Sequence, residues 1–527
     1  MALMIAARWA SWYAPLMPRS VRMPSTRCAA LPLVGLFCAL TNTAPLLARE
    51  FVVATTGVLT SIQHALDLAR ASDTVTVRAG TYAERLAVSA GGDGTNGPIV
   101  LRAYPGERVY INGRNKSDAA APHLLHIEDR AYVTIIGLRF CSNLATAARG
   151  GSGIFIEGAG AHLVIMSNEF YWLRGRHAMG ITVYGTASQP ISNIVIAGNI
   201  IRDCKPATSE ALTLNGNVCD FRVCDNLISN VNNIGIAFIG GERDIHPVHG
   251  ARNGICSGNR VIAARSSYGG GYAAGIYADG AQSLVIERNC VSGCDMGIEV
   301  GAENAVWEST NVTVQSNLIV CNDKIGLIFG GYDAARGRVR HCTFRNNTVF
   351  DNNVLGLSDN DFHGEIIVQY AASNRVYNNL FYVGLNGDGC ALYAEANAGN
   401  THNMLDYNLY YRGGGGVSFT WHGVQYTSFQ AYTNASATGD KHALFTPPEL
   451  VAPPSDVALT PVSPCIDSGD PSYLPEPGVV DFAGNPRLYG AYVDIGAYEL
   501  IPEPSLVWCW GAAISLTLLR VRAIIHL

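Results

Sequence analysis

Charged side chains are scarce in this sequence of 527 residues. Lys, Arg, Asp and Glu together supply 15% of it, and the formal net charge is −6. A chain with this balance lacks the basic surface that binds nucleic acid or an anionic membrane, so we expect no nucleic-acid partner. The low charge and the 56 glycines favour instead a turn-rich β protein with a large apolar interior.

The 14 cysteines form no CxxC motif and no Cys/His pattern with the spacing of a zinc site. This excludes the common structural zinc folds, and we predict no metal site of that kind. Several cysteines lie near a recurring asparagine described below, and we expect them to be small apolar residues inside the fold. One or two disulfides between neighbouring repeats stay open as an alternative if the protein is exported.

No helical apolar period interrupts the stretch from Leu163 to Asn408, and one residue returns there instead. Nine asparagines follow one another at intervals of 27 to 33 residues. Each follows a short run of alternating apolar residues, and a second such run, usually opened by glycine, comes later in the repeat. The nine are Asn168, Asn199, Asn226, Asn259, Asn289, Asn317, Asn347, Asn379 and Asn408.

This repeat predicts an all-β fold, a right-handed parallel β-helix wound from one chain, with one repeat in each coil. Runs with period two are typical of short strands, and a period near 30 residues indicates stacked units. Right-handed winding follows from the rule for parallel crossovers. We expect the asparagines at one corner, in the left-handed backbone conformation and hydrogen-bonded to one another in a ladder. Such a ladder is structural, so these residues are poor candidates for chemistry.

We expect residues 49–410 to form the β-helix together with an N-terminal cap. The segment from Thr60 to Arg70 has helical apolar spacing, so it predicts a short helix with Thr60 as its N-cap. Residues 411–500 depart from the period and predict an irregular C-terminal cap. Its acidic motifs, which include Asp467 and Asp470, are expected to be buried against the last coil; a metal or substrate site is the alternative.

Residues 1–48 are typical of a signal peptide, with cleavage expected after Ala48. Arg27 precedes an apolar run from Ala29 to Leu40, which is too short to span a bilayer. Met23 would begin a signal peptide of normal length and is the alternative start. We therefore expect an exported protein, located in the cell envelope, on the outer surface or outside the cell.

The beginning of the mature chain resembles the parallel β-helix polysaccharide lyases, the pectate-lyase-like group that contains alginate lyases and chondroitinase B. The resemblance rests on Asp73–Tyr82, Gly97–Gly106 and Val109–Gly113. It implies the fold and, as a partner, a polysaccharide. No cofactor is certain; if the chain is a lyase, the resemblance also implies Ca²⁺.

Residues 502–527 resemble the PEP-CTERM sorting signal of Gram-negative envelope proteins. Pro502-Glu-Pro504 is followed by an apolar run, Leu506 to Leu519, and then by two arginines. The resemblance implies a sorting protease as a partner. The apolar tail Ala523–Leu527 departs from the family pattern, which normally ends on basic residues, and a plain C-terminal anchor is the alternative.

The second strand of each repeat sorts its residues into an inward and an outward set, because alternate side chains point to opposite faces. Asp279 and Glu299 fall in adjacent coils and neighbouring outward columns, so we expect their Cα atoms about 8 Å apart on one exposed face. The residues expected to point inward are Ile181, Leu212, Ile236, Ile276, Ile298, Leu327, Ile366 and Leu392.

We interpret this outward face as a polysaccharide site with Asp279 and Glu299 as the candidate catalytic pair. Two carboxylates that flank a glycosidic bond can act as acid and as base or nucleophile in hydrolysis. In a lyase, carboxylates would instead hold Ca²⁺ while Lys or Arg removes the C5 proton. The candidate substrate-binding residues are Tyr277, Glu303, Glu210, Asn215 and Gln369.

The sequence does not decide between these activities. It contains no Asn-Gly-Gly-Glu calcium motif or Lys-Ser base motif of the lyases, and the repeats hold only two lysines, Lys205 and Lys324. The paired-aspartate and Gly-His-Gly signatures of polygalacturonases are also absent. Hydrolase and lyase stay open, and a non-catalytic envelope or biofilm-matrix protein that binds glycans along the same face is the alternative. We expect a monomer.

Overall fold

The computed structural model describes residues 48–146, 150–267, 270–305, 307–358, 362–397, 399–435 and 439–502. Apart from residues 48 and 502, the predicted signal peptide and sorting segment lie outside these residues. The described chain is a right-handed parallel β-helix with very little helix, which confirms the predicted fold class. Neither of its two short helices is long and apolar enough to cross a membrane.

Each coil contributes strands to three parallel stacks, which we call the front, second and third sheets. The front sheet contains Leu86–Ala87, the first parts of Leu125–Ile136 and Ile154–Met166, Ile181–Gly185, Leu212–Gly216, Ile236–Ile239, Ala274–Asp279, Met296–Ala302, Ile325–Gly331, Gly364–Gln369, Cys390–Ala394 and Ser418–Trp421. Val424–Tyr426 adds one antiparallel strand at its end.

The second sheet contains Glu50–Val53, Thr74–Val77, Ile99–Ala103, the last parts of Leu125–Ile136 and Ile154–Met166, Ile191–Ala197, Val218–Cys219, Arg222–Cys224, Arg252–Ser257, Gln282–Glu287, Glu308–Thr310, Thr313–Gln315, Arg338–Arg340, Thr343–Arg345, Ala371–Ala372, Arg375–Tyr377 and Met404–Asp406. The third sheet contains Gly80–Tyr82, Val109–Lys116, Arg139–Ala145, Glu169–Tyr171, Arg174–Gly175, Ile200–Cys204, Leu227–Val231, Arg260–Ala264, Cys290–Ser292, Leu318–Val320, Thr348–Phe350, Leu380–Val383, Leu409–Arg412 and Leu444–Phe445. Leu450–Ala452 and Asp456–Leu459 form a separate hairpin.

The core lies inside the coils, where side chains of all three sheets meet. All eight residues predicted to point inward along the front sheet are buried with 0% exposure. Burying a side chain such as Ile or Leu contributes about 1.5–3 kcal/mol. The core therefore grows with each coil, and its register fixes which side chains of the front sheet point outward.

The nine asparagines form one continuous ladder, as predicted. In its first step the backbone N–H and the side-chain amide of Asn168 both donate to Oδ1 of Asn199, at 3.0 and 3.1 Å. The same pair of bonds recurs at each step as far as Asn408. The ladder satisfies buried amides that would otherwise oppose folding.

The left-handed residue at this corner is not the asparagine, so that part of the prediction was wrong. The residue immediately before each asparagine has φ between +51° and +66°. The asparagine itself must direct its N–H and its side-chain amide along the stack together, because both donate to one oxygen in the next coil. The nine left-handed residues are Ser167, Gly198, Asp225, Gly258, Arg288, Ser316, Asn346, Asn378 and Tyr407.

Helix α1, Ile62–Leu68, lies where the sequence predicts a helix. Its N-cap is Ser61, one residue after the predicted Thr60, because the Ser61 hydroxyl accepts the N–H of His64 at 3.2 Å. The Glu84 carboxylate accepts the next free N–H groups, those of Ile62 and Gln63. These bonds fix the start of α1 against the first strands.

Helix α2, Phe429–Asn434, packs at the other end of the solenoid. Its Tyr432 stacks on Phe419 of the last front-sheet strand, with ring centroids 4.5 Å apart. The hydroxyls of Tyr432 and Tyr410 both donate to the buried carboxylate of Asp440, at 3.1 and 2.7 Å. The last coil is thus covered by aromatic side chains that share one acidic partner.

The acidic C-terminal motifs lie alongside the solenoid, whereas the sequence placed them against the last coil. The N–H of Asp470 donates to Oδ1 of Asn378 at 2.7 Å, and the side chain of Asn346 donates to the carbonyl of Asp494 at 2.9 Å. Arg487 and Glu499 form a buried ion pair within this segment. The segment covers the apolar outer side of the third sheet, which explains its position.

The cysteines of the described residues are all free thiols, so the structure forms no disulfide there. Four of the five cysteines near the asparagine corner are buried, and the fifth, Cys321, is partly buried. Burial raises the pKa of the Cys204 and Cys294 thiols to about 12. These cysteines therefore act as small apolar residues, as the sequence predicts.

Candidate active site

The predicted outward columns of the front sheet are confirmed by the strand register. Tyr277 lies opposite Glu299, and Asp279 lies opposite Gly301, in adjacent coils. One column contains Thr182, Thr213, Ala237, Tyr277, Glu299, Ile328, Ile367 and Tyr393. The other contains Tyr184, Asn215, Ile239, Asp279, Gly301, Gly330 and Gln369.

This face is not exposed around Asp279, so the prediction of an exposed face was wrong. Tyr277 is 5% exposed, Asp279 6% and Asn215 1%. Loops that leave the front strands fold back over the sheet and bury a second, smaller apolar cluster outside the main core. This cluster contains Ala237, Ala274, Tyr277, Met296, Ile325, Ile328 and Ile367.

Two of these loops are joined directly above Asp279. The side chain of Asn304 donates to the carbonyl of Gly240 at 3.0 Å, and the indole of Trp307 donates to the carbonyl of Gly280 at 2.7 Å. A Cβ atom on Gly241 would lie 2.6 Å from the Trp307 ring, so only glycine admits the indole there. The loops are therefore held together where they carry their acidic residues.

Asp279 lies at the centre of a group of carboxyl groups. Its Oδ1 accepts the backbone N–H of Glu303 at 2.7 Å. Burial, followed by the negative charge of Glu303 and then of Glu242 and Glu210, raises the pKa of Asp279 to about 8. Asp279 therefore holds a proton near neutral pH, which is the state of a general acid.

Tyr277 connects the strand to the same loop. Its hydroxyl donates to Oε1 of Glu303 at 3.0 Å, and its ring lies across Gly301, where a Cβ atom would be 2.7 Å from the phenol oxygen. Burial and the neighbouring acids, Asp279 first among them, raise the pKa of Tyr277 well above its usual range. The phenol is therefore a permanent hydrogen-bond donor to Glu303.

Glu210 and Glu242 come from two earlier coils. The side-chain amide of Asn215 donates to Oε2 of Glu242. Burial is the main cause that raises the pKa of Glu210 to about 7, and the charges of Glu242 and Glu303 add to it. The site thus holds two carboxyl groups, on Glu210 and Asp279, that keep their protons in the neutral range.

These side chains line a cleft of about 400 Å³. Of the seven predicted site residues, Glu210, Tyr277, Asp279 and Glu303 line it, and Asn215 lies behind Glu242. The cleft-lining residues that sequence reasoning missed include Glu242, Tyr272, Asn304 and Arg336. Glu242 lies three residues after the end of its front strand and Glu303 directly after the end of its own, so the strand alternation that the sequence shows does not place Glu242.

Glu299 and Gln369 are not among the described residues that line the cleft. Glu299 lies between Tyr277 and Ile328 on the sheet and is partly buried. Burial first, and then the charges of Glu303 and Asp279, raise the pKa of Glu299 well above its usual range. Gln369 lies three coils beyond Asp279 and contacts Gly330. The structure therefore does not bring both members of the predicted pair into one cleft.

The carboxylates of the cleft do not fit a resident calcium ion. Within the described ranges, the one group of three that brings its ligand atoms within 4.8 Å of one another is His126, Glu128 and Glu157. That group lies in the same two columns but four to five coils before Asp279. Its imidazole is not a donor that Ca²⁺ prefers, because calcium takes oxygen ligands.

Comparison with known proteins finds no family model that matches the chain. The chain is 31% identical over 423 residues to the uncharacterized protein YwoF of Bacillus subtilis strain 168, a match that covers 77% of this chain and 87% of that protein. A shorter match, 29% identical over 174 residues, is to the pectate lyase PEL9 of Emericella nidulans; it covers 28% of this chain and 42% of that protein.

Two solved structures resemble the solenoid. The pectate lyase Pel9A has a TM-score of 0.45 at 13% identity, with 86% of this chain and 96% of that chain covered. A GH136 lacto-N-biosidase from Eubacterium ramulus has a TM-score of 0.45 at 12% identity, with 69% of this chain and 64% of that chain covered.

Proposed function

We propose that this chain, which belongs to the family of the uncharacterized protein YwoF of Bacillus subtilis, hydrolyses glycosidic bonds of a polysaccharide. The reaction would take place in the cleft above Asp279. The observation that carries this proposal is that the buried carboxyl group of Asp279, whose pKa is raised first by burial to about 8, accepts the backbone N–H of Glu303, and that both residues line one cleft. The partial match to a pectate lyase supports a polysaccharide as the substrate. The signal-peptide pattern supports action outside the cell.

In the proposed reaction Asp279 is the general acid. It donates its proton to the glycosidic oxygen as the bond from that oxygen to the anomeric carbon breaks. Glu303 takes a proton from the water that attacks the anomeric carbon, and Tyr277 orients Glu303 by donating to its Oε1. Water supplies the hydroxyl and the proton of the two products, so no further reactant is required.

Hydrolysis is favoured over elimination by the composition of the cleft. A lyase needs a base for the C5 proton and a cation that neutralises the uronate. The cleft offers one guanidinium, Arg336, and that group already donates to the carbonyl of Glu303 at 3.0 Å. Ca²⁺-assisted elimination would also require several oxygen ligands close to one point. No three carboxylates of the described cleft bring their oxygen atoms within 4.8 Å of one another.

The test uses the purified mature chain, a panel of polysaccharides and two readouts. New reducing ends without ultraviolet absorbance indicate hydrolysis, whereas an unsaturated product that absorbs in the ultraviolet indicates elimination. Asp279→Asn and Glu303→Gln are expected to abolish the activity, and Glu308→Gln, which removes an acid of the second sheet that pairs with Arg340, serves as the matched control. If Glu299→Gln loses as much activity as Asp279→Asn, the catalytic residues would instead be the pair Asp279 and Glu299.

A glycan-binding protein without catalysis is the second candidate, and the covered outer face favours it. The loops that bury Tyr277 and Asp279 narrow the access to the sheet. Under this function the chain binds a polysaccharide, the Asp279→Asn variant binds it equally well, and no product forms. Product release by the wild-type chain would rule this candidate out.

A further inference from the structure

We propose that His126, Glu128 and Glu157 form a binding site for a divalent transition-metal ion of the Zn²⁺ class. The three residues lie on the outward face of the front sheet, four to five coils before Asp279. The metal site is separate from the acidic cleft, and it does not depend on the hydrolase proposed there.

The ligand atoms of these three side chains already converge. Nε2 of His126 lies 2.9 Å from Oε1 of Glu157, and one ligand atom from each of the three residues lies within 4.8 Å of the other two. Two atoms that bind Zn²⁺ at a tetrahedral angle are roughly 3.3 Å apart. Glu128 is exposed, so its side chain can rotate to close the remaining gap of at most about 1.5 Å.

The strand register places two negative charges opposite each other at this point. Glu128 pairs with Glu157 on the adjacent coil, and both side chains point outward. Like charges directly opposite in a sheet are destabilising. Arg85 carries the one guanidinium of the neighbouring cleft, and it donates to the carbonyls of Pro122 and Lys116. A divalent cation between the two glutamates would offset their repulsion.

The imidazole of His126 is held in place by aromatic neighbours. Phe155 lies opposite His126 in the next coil, with ring centroids 5.7 Å apart. Phe155 in turn stacks on His123, at 4.0 Å and an angle of 9°, and Nδ1 of His123 accepts the N–H of Ser152 at 3.2 Å. A ligand that its neighbours already orient loses little conformational freedom when a metal binds.

The donor set indicates the class of metal. One imidazole nitrogen and two carboxylates suit Zn²⁺ and other first-row transition metals, whereas Ca²⁺ takes oxygen ligands. Three protein ligands leave one tetrahedral position open. His126 and Glu157 also line a cleft of about 510 Å³. Water or an oxygen atom of a molecule in this cleft can therefore complete the coordination.

The test uses the full mature chain without a histidine tag, stripped with a chelator and then titrated by calorimetry with Zn²⁺, Ca²⁺ or Mg²⁺. We expect one equivalent of Zn²⁺ to bind with a Kd on the order of 1 μM, and Ca²⁺ and Mg²⁺ to bind at least roughly a hundredfold more weakly. Co²⁺ serves as a spectroscopic probe. Its visible spectrum should lack thiolate charge-transfer bands, since the cysteines of the described residues are free thiols that could otherwise bind metal.

Two variants remove ligands, and a third is the matched control. Glu128→Gln changes an exposed side chain and should leave the fold intact, and His126→Gln removes the nitrogen ligand. Each should weaken Zn²⁺ binding by at least roughly tenfold. His442→Gln removes a histidine that pairs with Asp406 at 2.8 Å but belongs to no group of three ligands within the described chain, so it should bind Zn²⁺ as the wild type does. Thermal melting checks that all three variants fold.

The metal site and the hydrolase can fail separately. Absence of saturable Zn²⁺ binding, a preference for Ca²⁺, or wild-type Zn²⁺ affinity in Glu128→Gln and His126→Gln would overturn the metal site, whatever the chain does to polysaccharides. Asp279→Asn should keep its full Zn²⁺ affinity, because four to five coils correspond to roughly 20 Å. Loss of Zn²⁺ binding in that variant would also contradict the assignment to His126, Glu128 and Glu157.

Discussion

The backbone N–H of Glu303 donates to Oδ1 of Asp279 at 2.7 Å. This bond joins the loop after one front strand to the side chain at the end of the preceding front strand. It places Glu303 beside Asp279. Burial first, and then the negative charge of Glu303, raise the pKa of the aspartate, whereas the hydrogen bond itself lowers it. The backbone of that loop is thus bound to the side chain of Asp279, and the hydroxyl of Tyr277 holds the carboxyl group of Glu303.

Replacing Asp279 by Asn should remove activity without removing stability. The change keeps the size of the side chain and an acceptor for the N–H of Glu303 but removes the proton donor. Loss of a general acid costs about 10²–10⁴-fold in kcat. Reducing-end assays and thermal melting at one pH check this prediction. A variant within tenfold of the wild-type rate would show that Asp279 is not the acid.

The stability of the protein should decrease as pH rises from about 4 to about 8. Asp279, with a pKa of about 8, and Glu210, with a pKa of about 7, bind protons in the folded state that they have lost in the unfolded chain over this range. Their stabilising contribution is complete below the unfolded pKa and is lost as pH rises through the folded value. Melting temperatures across the range test the sign, and a maximum near pH 8 would contradict it.

Glu365 provides a test of the same effect away from the cleft. Burial raises the pKa of its carboxyl group to about 8, although the N–H and the side-chain amide of Asn352 donate to it at 3.0 and 2.7 Å. Glu365→Gln removes the titrating group and should flatten the loss of stability between about pH 6 and about pH 8. Glu287→Gln, on the second sheet, is the control and should follow the wild-type curve.

The inward residues and the ladder could be predicted because both repeat with each coil. Ile276 and Asn289 occupy positions that the period alone identifies, and a wrong register would expose an entire column. The cleft could not be predicted in this way, because Glu242 lies in a loop that belongs to one coil only. The burial of Tyr277 likewise depends on that loop and on Trp307, which no alternation in the strands indicates.

Replacing Asn289 by Ala should destabilise the solenoid at its centre. The change removes the oxygen that accepts both the N–H and the side-chain amide of Asn259, and it leaves the carbonyl of Cys256 without its donor. Each buried group left unsatisfied costs about 1–3 kcal/mol. Chemical denaturation measures the loss. Asn386→Ala removes an exposed side-chain bond to the carbonyl of Val354 and should change stability by less than about 0.5 kcal/mol.

Replacing Gly301 by Ala should impair catalysis more than stability, because the new Cβ atom would lie 2.7 Å from the phenol oxygen of Tyr277. The ring must move, and its bond to Glu303 should lengthen or break. We expect kcat to fall by about 10-fold or more, as the loss of one oriented catalytic group implies.

Gly416→Ala is the matched control for this change, because a Cβ atom there meets nothing within 4 Å. It should retain the wild-type rate and melting temperature. Tyr277→Phe removes the hydroxyl and should reproduce most of the kinetic effect of Gly301→Ala, since both changes deprive Glu303 of the same donor. If Gly301→Ala lowers kcat while Tyr277→Phe does not, the glycine acts on the cleft by another route, and the role given to Tyr277 is wrong.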